Sequence, residues 1–221
     1  YSRAIDGLIG GLVALIFVSL LPRNPIRLVR QDSKALFAVF RATLSSVAAV
    51  LRAPNVELAD QALDEIRRTQ PLLDNWTSSL ESASAIAKVS PFYRWAQKEI
   101  SEQLQVAAGM DYATRNLRVL TRRVDYLVRD SKPRPQLAAV IGKIIIATEL
   151  LEQTSDDFSV TQKARKYLRK IPASLDPKTF DPPLTTSESA VLMQVRPLFI
   201  DLAIAAGIQP SQARALLPYV D

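Results

Sequence analysis

The chain has 221 residues, 28 Lys+Arg against 22 Asp+Glu for a net charge of +6, and neither cysteine nor histidine. Those two absences exclude a disulfide framework, a thiolate zinc site, a catalytic cysteine, a Ser-His-Asp triad and an imidazole base. Any chemistry would fall to carboxylates, Lys, Tyr or Ser, so no enzyme activity, cofactor or metal site is expected. The basic excess suits nucleic acid, an anionic membrane surface or an anionic small molecule, and does not choose among them.

Residues 7–21, GLIGGLVALIFVSLL, carry no charge. A helix over that run covers about 23 Å, short of the ~30 Å hydrocarbon core, and extending it back through residues 1–6 brings it to spanning length. A signal peptide would need basic residues before the run and a small-residue cleavage site after it; Pro22-Arg23-Asn24-Pro25 follows instead. Residues 1–22 are therefore expected to form a transmembrane helix, and the start at Tyr1 is expected to be a cut or processed end. Gly7 and Gly11 form a G-x-x-x-G, extended by Gly10 and Ala14, a small face that lets a span pack against other membrane spans. Arg3 and Asp6 share a helical face. Ionisable groups in a span usually face a bundle interior or a watery path; at the headgroup level Arg3 would snorkel instead. Arg23, Arg27, Arg30 and Lys34 follow directly, which places residues 23–221 in the cytoplasm, facing the inner surface of the cell membrane. The lack of cysteine agrees with a reducing compartment.

The rest reads as helices. After Pro25, Leu36, Phe40, Leu44, Val47 and Leu51 recur at steps of three and four to about Arg52. Pro54-Asn55 breaks the pattern, with Asn55 as N-cap. Val56 to about Val89 carries Leu58, Ala62, Ile66, Leu73, Trp76, Leu80, Ala83 and Ala87 in one stripe, kinked or divided at Pro71. Ser90-Pro91 opens a helix to about Asp130, capped by the serine, with Ile100, Leu104, Ala108, Leu117, Leu120, Val124 and Leu127 on its apolar face. Lys132-Pro133-Arg134-Pro135 is a turn. A central helix follows from Gln136 to about Thr154. A basic stretch, Lys163 to Lys170, reads as a short helix. Pro172, Pro177, Pro182 and Pro183 mark an extended linker. Thr185-x-x-Glu188 is a capping box opening a last long helix, with Gly207 as its C-cap, and Pro210 to Leu217 reads as one more short helix. The fold class is all-α: one N-terminal membrane-type helix, then a bundle of long antiparallel helices with coiled-coil-like hairpins. The organisation is a span at 1–22, a cytoplasmic long-helix bundle at 23–171, a Pro-rich linker at 172–186, and C-terminal helices packing on the bundle at 187–221.

Candidate chemistry is sparse. Residues 112–134 hold seven cations against two carboxylates, and Arg115, Arg118 and Arg122 form one helical stripe with Arg123 beside it. Three readings compete: a salt-bridged, solvated face; contact with anionic lipid headgroups or an anionic solute; and nucleic-acid binding, against which no helix-turn-helix or RNA-module signature appears. Glu57, Asp60 and Asp64, and likewise Glu99 and Gln103, read as solvated faces, the former paired with Arg67 and Arg68. Asp156-Asp157 lacks calcium-loop spacing. Trp76, Phe92, Tyr93 and Trp95 read as packing residues before an aromatic-binding surface.

The stretch Arg3-Ala-Ile-Asp6-Gly7-Leu-Ile-Gly10-Gly11-Leu-Val-Ala14, with its Leu20-Leu21-Pro22 exit, resembles the last membrane span of the fusaric-acid-resistance superfamily, which includes the aromatic acid exporters. The following helices are similar to that superfamily's cytoplasmic domain, with Ser90-Pro91 opening a long helix and Asn116-Leu117-Arg118-Val119-Leu120-x-Arg122-Arg123 similar to a recurring basic segment. The resemblance implies the C-terminal part of a membrane exporter of aromatic acids or similar anionic amphiphiles. It would consist of the last span of a larger set plus a cytoplasmic domain serving assembly or gating, working as a homo-oligomer. It implies that Arg3 and Asp6 line or brace the transport path, that Gly7, Gly10 and Gly11 pack the span, and that Arg115, Arg118, Arg122 and Arg123 attract an anionic aromatic substrate or rest on lipid or a neighbour. The alternative from the residues alone is a single-span, membrane-anchored helical interaction or regulatory protein without transport activity. No nucleic-acid partner is expected on either reading.

Overall fold

The protein, seen in a computed structural model, is described at residues 6, 7, 10, 11, 13 and 25–220 except 90 and 155, with the backbone alone at 25, 91, 92, 94 and 158. All its regular structure among these residues is helical. Residues 6, 7, 10, 11 and 13 are helical and exposed. The eight α-helices that follow are α1 Pro25–Arg52, α2 Val56–Arg67, α3 Gln70–Val89, α4 Gln97–Val128, α5 Pro135–Thr154, α6 Thr161–Leu168, α7 Thr186–Ala205 and α8 Pro210–Ala215. Short 3₁₀ turns lie at Pro91–Ala96, Phe158–Val160, Pro172–Leu175 and Pro177–Thr179.

The helix ends follow local chemistry. The Asn55 side chain accepts from the Leu58 N–H at 2.8 Å, opening α2. The break expected at Pro71 falls just before it, where Thr69 donates from its hydroxyl to the Ile66 carbonyl at 2.8 Å. Pro71 then sits in the first turn of α3, where a missing N–H costs nothing. The helix expected from Pro91 begins instead as a six-residue 3₁₀ turn and becomes α only at Gln97; the expected cap, Ser90, lies outside the described residues. At α7 both halves of the capping box form, with the Thr185 N–H donating to Glu188 Oε2 at 2.9 Å. Beyond α7, Gly207 takes φ +81°. The Ile208 N–H then reaches back to the Ala203 carbonyl at 3.0 Å and the Gly207 N–H to Ile204 at 2.8 Å, a Schellman closure.

Side-chain contacts give the directions of the helices. Arg30 meets Glu99, so α1 and α4 run parallel. Arg41 meets Glu152, and the Arg134 N–H meets the Leu51 carbonyl, so α1 and α5 run antiparallel. Gly109 meets Ala205 and Asn116 meets Asp201, so α4 and α7 run antiparallel. α5 also packs against α7. The four long helices form a ring, α1–α4–α7–α5, with up-up-down-down directions and two long crossovers. α2 and α3 form the first crossover and cover the α1–α4 side. α6 and the proline-rich segment form the second. That segment does not leave the body as a linker would: Leu175 and Phe180 are buried, and Arg196 donates to the Leu175 carbonyl at 2.9 Å. One apolar core runs from Ile26 to Ala213. α1 is the helix long and apolar enough to cross a membrane among the described residues, but half of its apolar window is buried inside the protein. Leu36, Phe37, Phe40 and Leu44 are fully covered by the other helices, and Phe37 tilts at 59° onto Trp76 with ring centroids 6.1 Å apart.

Four buried threonine hydroxyls are satisfied within their own helices: Thr43, Thr114, Thr121 and Thr148 each donate to the carbonyl four residues earlier. Gln103, expected on a solvated face, is 1% exposed, and its amide finds no partner among the described residues. In the same stretch Leu104 and Ala108 turn outward while Val106, Ala107, Gly109 and Met110 turn inward. The face of α4 is rotated there because α7 approaches along Gly109. A Cβ on Gly109 would lie 2.6 Å from the Ala205 Cβ and 2.7 Å from its backbone N and Cα, a contact the helix backbone cannot yield cheaply.

A buried cation organises the opposite end. Arg134 is 7% exposed. Its guanidinium grips Asp130 at 2.5 and 2.8 Å, the Lys132 carbonyl at 2.6 Å and Glu188 Oε1 at 3.0 Å. Its hydrogen bond, with help from the Lys132 N–H, holds the Asp130 carboxyl down at about 2.

Two predictions follow from this packing. Gly109→Val costs about 1–3 kcal/mol through overpacking, whereas Gly142→Ala on α5, where nothing lies within 4 Å of a new Cβ, gains about 0.5–1 kcal/mol; urea unfolding read by circular dichroism separates the two, and unchanged stability in Gly109→Val would refute the close approach. Arg134→Met costs about 2–3 kcal/mol at neutral pH, the range for charge-assisted bonds. Because Asp130 titrates lower in the folded chain than unfolded, its contribution is complete above the ordinary carboxylate range and is lost as pH falls towards about 2. Melting curves across that range should show this acid-side loss in the parent chain and a flatter profile in Arg134→Met.

Candidate functional site

Two grooves open at the end of the bundle where α1 and α4 begin and α3, α5 and α7 finish. One, of about 600 Å³, is lined by α4 (Lys98, Glu102, Gln105), the end of α5, α6 through Arg165, and the α7 closure at Gly207. The other, of about 560 Å³, runs along the first turns of α1 past Ile26, Arg27, Arg30 and Lys34 to Asp156. Trp95 lines both, and it stands there because the 3₁₀ turn Pro91–Ala96 carries the chain from α3 across to α4. Gln97 ties that turn back, donating to the Ala87 carbonyl at 3.0 Å.

The grooves are built from fixed charges. Arg30 holds Glu99 at 2.7 and 3.2 Å, forming the wall between them. Lys34 meets Asp156 at 2.8 Å, and Asp157 accepts from both the N–H and the hydroxyl of Ser159 at 2.8 Å, which lowers its pKa. Arg165 Nε donates to the Ala206 carbonyl at 2.6 Å, closing the last turn of α7. Gly207 is required beside it: its φ is positive, and a Cβ would lie 2.3 Å from Arg165 Nη2. Arg165 has no carboxylate partner among the described residues. The resulting site mixes ion-paired cations and carboxylates, amides and one exposed indole.

The cationic stripe on α4 does not act as one site. Arg115 pairs with Asp111 at 2.7 Å and lies over the Tyr112 ring, 5.8 Å from its centroid. Arg118 turns to α2, donating to the Ile66 carbonyl and to Thr69 Oγ1, both at 3.1 Å; it closes the end of α2 and is a brace. Arg122 and Arg123 alone of the four are exposed with no ion pair among the described residues. Arg129 spans Asp125 at 3.1 Å and Asp60 at 3.4 Å, while Asp64 meets Arg67 at 3.3 Å. Asn116, in the same segment, clamps α4 to α7: it donates to Asp201 at 2.5 Å and accepts from Gln194 at 2.8 Å. Burial raises the Asp201 carboxyl, against the pull of Asn116.

Of the span residues, Arg3 lies outside the described residues. Asp6, Gly7, Gly10 and Gly11 are helical and exposed, with nothing within 4 Å of a Cβ built on any of the three glycines. Trp76 is buried as a packing residue, whereas Trp95 is 67% exposed.

The chain is similar to an uncharacterized protein of Corynebacterium glutamicum. The two are 24% identical over 224 residues, an alignment covering 98% of this chain and 57% of the relative, so the chain spans little more than half the length of that relative. No protein-family model matches the chain, and no solved structure matches it.

The stripe's division of labour is testable. Arg118→Ala should lower stability by about 1–2 kcal/mol, because the Ile66 carbonyl and Thr69 hydroxyl lose their donor. The double change Arg122→Ala and Arg123→Ala should stay within about 0.5 kcal/mol. Equal effects in urea titrations would contradict the split.

Proposed function

We propose that the chain is the bilayer-anchored cytoplasmic body of a larger membrane exporter of aromatic acids or similar anionic amphiphiles, and that the helical bundle serves assembly or gating and performs no catalysis. The observation that carries this reading is a juxtaposition. The uncharged run 7–21 leads directly into α1, whose first turns bring Arg27, Arg30 and Lys34 to the grooved end of the bundle. An apolar helix followed by cations is the pattern of a span entering the cytoplasm. The greater length of the Corynebacterium glutamicum protein is consistent with further segments beyond those seen here. On this reading Arg3 and Asp6 brace the path, the open face of Gly7, Gly10 and Gly11 packs on neighbouring spans, and the exporter is a homo-oligomer.

Two measurements on the full-length protein test it. Protease added to inside-out vesicles should digest the bundle, and added to intact cells should not. Asp6→Asn or Arg3→Gln should abolish efflux of a labelled aromatic carboxylate at unchanged expression. Unaltered efflux removes both residues from the mechanism. A cytoplasmic bundle in a protein that supports no efflux at all leaves the single-span interaction protein as the reading.

A further inference from the structure

We propose that the grooved end of the bundle, centred on Trp95, rests on the anionic headgroup surface of the bilayer, with Trp95 and Val89 seated at the interface. This deepens the membrane reading above and rests on it. Three large apolar side chains are exposed at this one end: Trp95 at 67%, Val89 at 86% and Leu28 at 51%. Val89 is the last residue of α3, Trp95 lies on the turn that follows, and Leu28 is in the first turn of α1. Exposed apolar groups clustered in one place mark an interaction surface.

The charges around them select the occupant. At this end Glu99 is engaged by Arg30, Asp156 by Lys34 and Glu102 by Lys98 at 4.0 Å, whereas Asp32 and Asp157 accept from the hydroxyls of Ser79 and Ser159. Arg27 and Lys88 are exposed and have no carboxylate partner among the described residues. With Arg165, three cations here lack a carboxylate partner against two carboxylates that lack a cation, Asp32 and Asp157, among the described residues, so the balance is positive. Indole amid cations is the composition of a membrane-water interface: Trp settles at headgroup level, and juxtamembrane cations are drawn to anionic lipid. The place is also right, because α1 begins four residues after the apolar run ends, so a bilayer holding residues 7–21 lies beside this end of the bundle. The arginine stripe expected to touch lipid lies further along α4, and two of its members are spent on Asp111 and on the end of α2; the lipid contact moves from that stripe to the Trp95 end.

The chain's two tryptophans supply the test, since Trp76 is fully buried and sits about 20 Å up α3 from Val89 at ~1.5 Å per residue. The 221-residue chain is reconstituted with vesicles of phosphatidylcholine, with or without phosphatidylglycerol, carrying brominated acyl chains as short-range quenchers. The expected result is that the chain floats with the vesicles, that part of its tryptophan emission is quenched, that Trp95→Phe removes the quenched part, and that Arg27→Glu with Lys88→Glu abolishes the extra quenching given by phosphatidylglycerol. A chain that floats with unquenched Trp95 overturns the docking and leaves the membrane anchor standing. A blue-shifted but unquenched Trp95 means that protein covers this end, and equally overturns it. A chain that does not float overturns both the docking and the reading on which it rests.

Discussion

The fold turns on one buried cation. Arg134 lies in the turn between α4 and α5, yet its partners belong to four segments: the end of α1 through Leu51, the end of α4 through Asp130, its own turn through Lys132, and the capping box of α7 through Glu188. Burying a guanidinium is costly unless its donors are met; here Asp130, the Lys132 carbonyl and Glu188 meet them, while the Arg134 backbone N–H holds the Leu51 carbonyl. Glu188 serves two masters, capping α7 through one oxygen and holding Arg134 through the other. The far end of the bundle is thereby locked in a single arrangement, and the up-up-down-down order of the ring follows from which helices end there and which begin.

A second constraint sets the spacing of the ring. α4 and α7 meet at Gly109 and Ala205 with no room for a side chain between them. Asn116 then ties the same pair one stretch further along, between Gln194 and Asp201. Small residues where backbones touch, and a polar clamp where they separate, fix both distance and register. Arg118 does the equivalent for α2. The segment from Asn116 to Arg123 is therefore chiefly a fastening of α4 to its neighbours on two sides, which gives a structural meaning to residues first read by their charge.

Much of this was legible in the sequence where the signal is local. The three-and-four stripes of α1 and α3, the Asn55 cap, the Thr185 capping box and the Gly207 closure all depend on residues within a few positions of each other, and each appears as expected. What was not legible depends on partners distant along the chain. The periodic count on α4 chose Leu104 and Ala108 because it assumed one straight face; the approach of α7 rotates that face onto Val106, Gly109 and Met110. The lone Gly109 inside a long helix was the available signal for a close contact. Counting charges left a salt-bridged face, an anion or lipid contact and nucleic-acid binding all open for residues 112–134, because composition cannot tell a cation that faces solvent from one that closes a helix end, as Arg118 does, or one buried in a network, as Arg134 is. The ring order could not be read either, because α2–α3 and α6 with its proline-rich tail resemble packed hairpins and a linker until their crossovers are seen.

The two ends of the bundle are unlike in a way that bears on function. At the far end Arg134 is consumed internally and holds the Asp130 carboxyl down at about 2, while Arg52, Arg122 and Arg123 stay exposed without ion pairs among the described residues. At the end beside the apolar run, the grooves stay open, Trp95 faces outward, and Arg27, Lys88 and Arg165 lack carboxylate partners among the described residues. The long helices that join the two ends share one continuous apolar core. A folded body gains little stability by exposing an indole, so Trp95 and the open grooves beside it are what set this end apart.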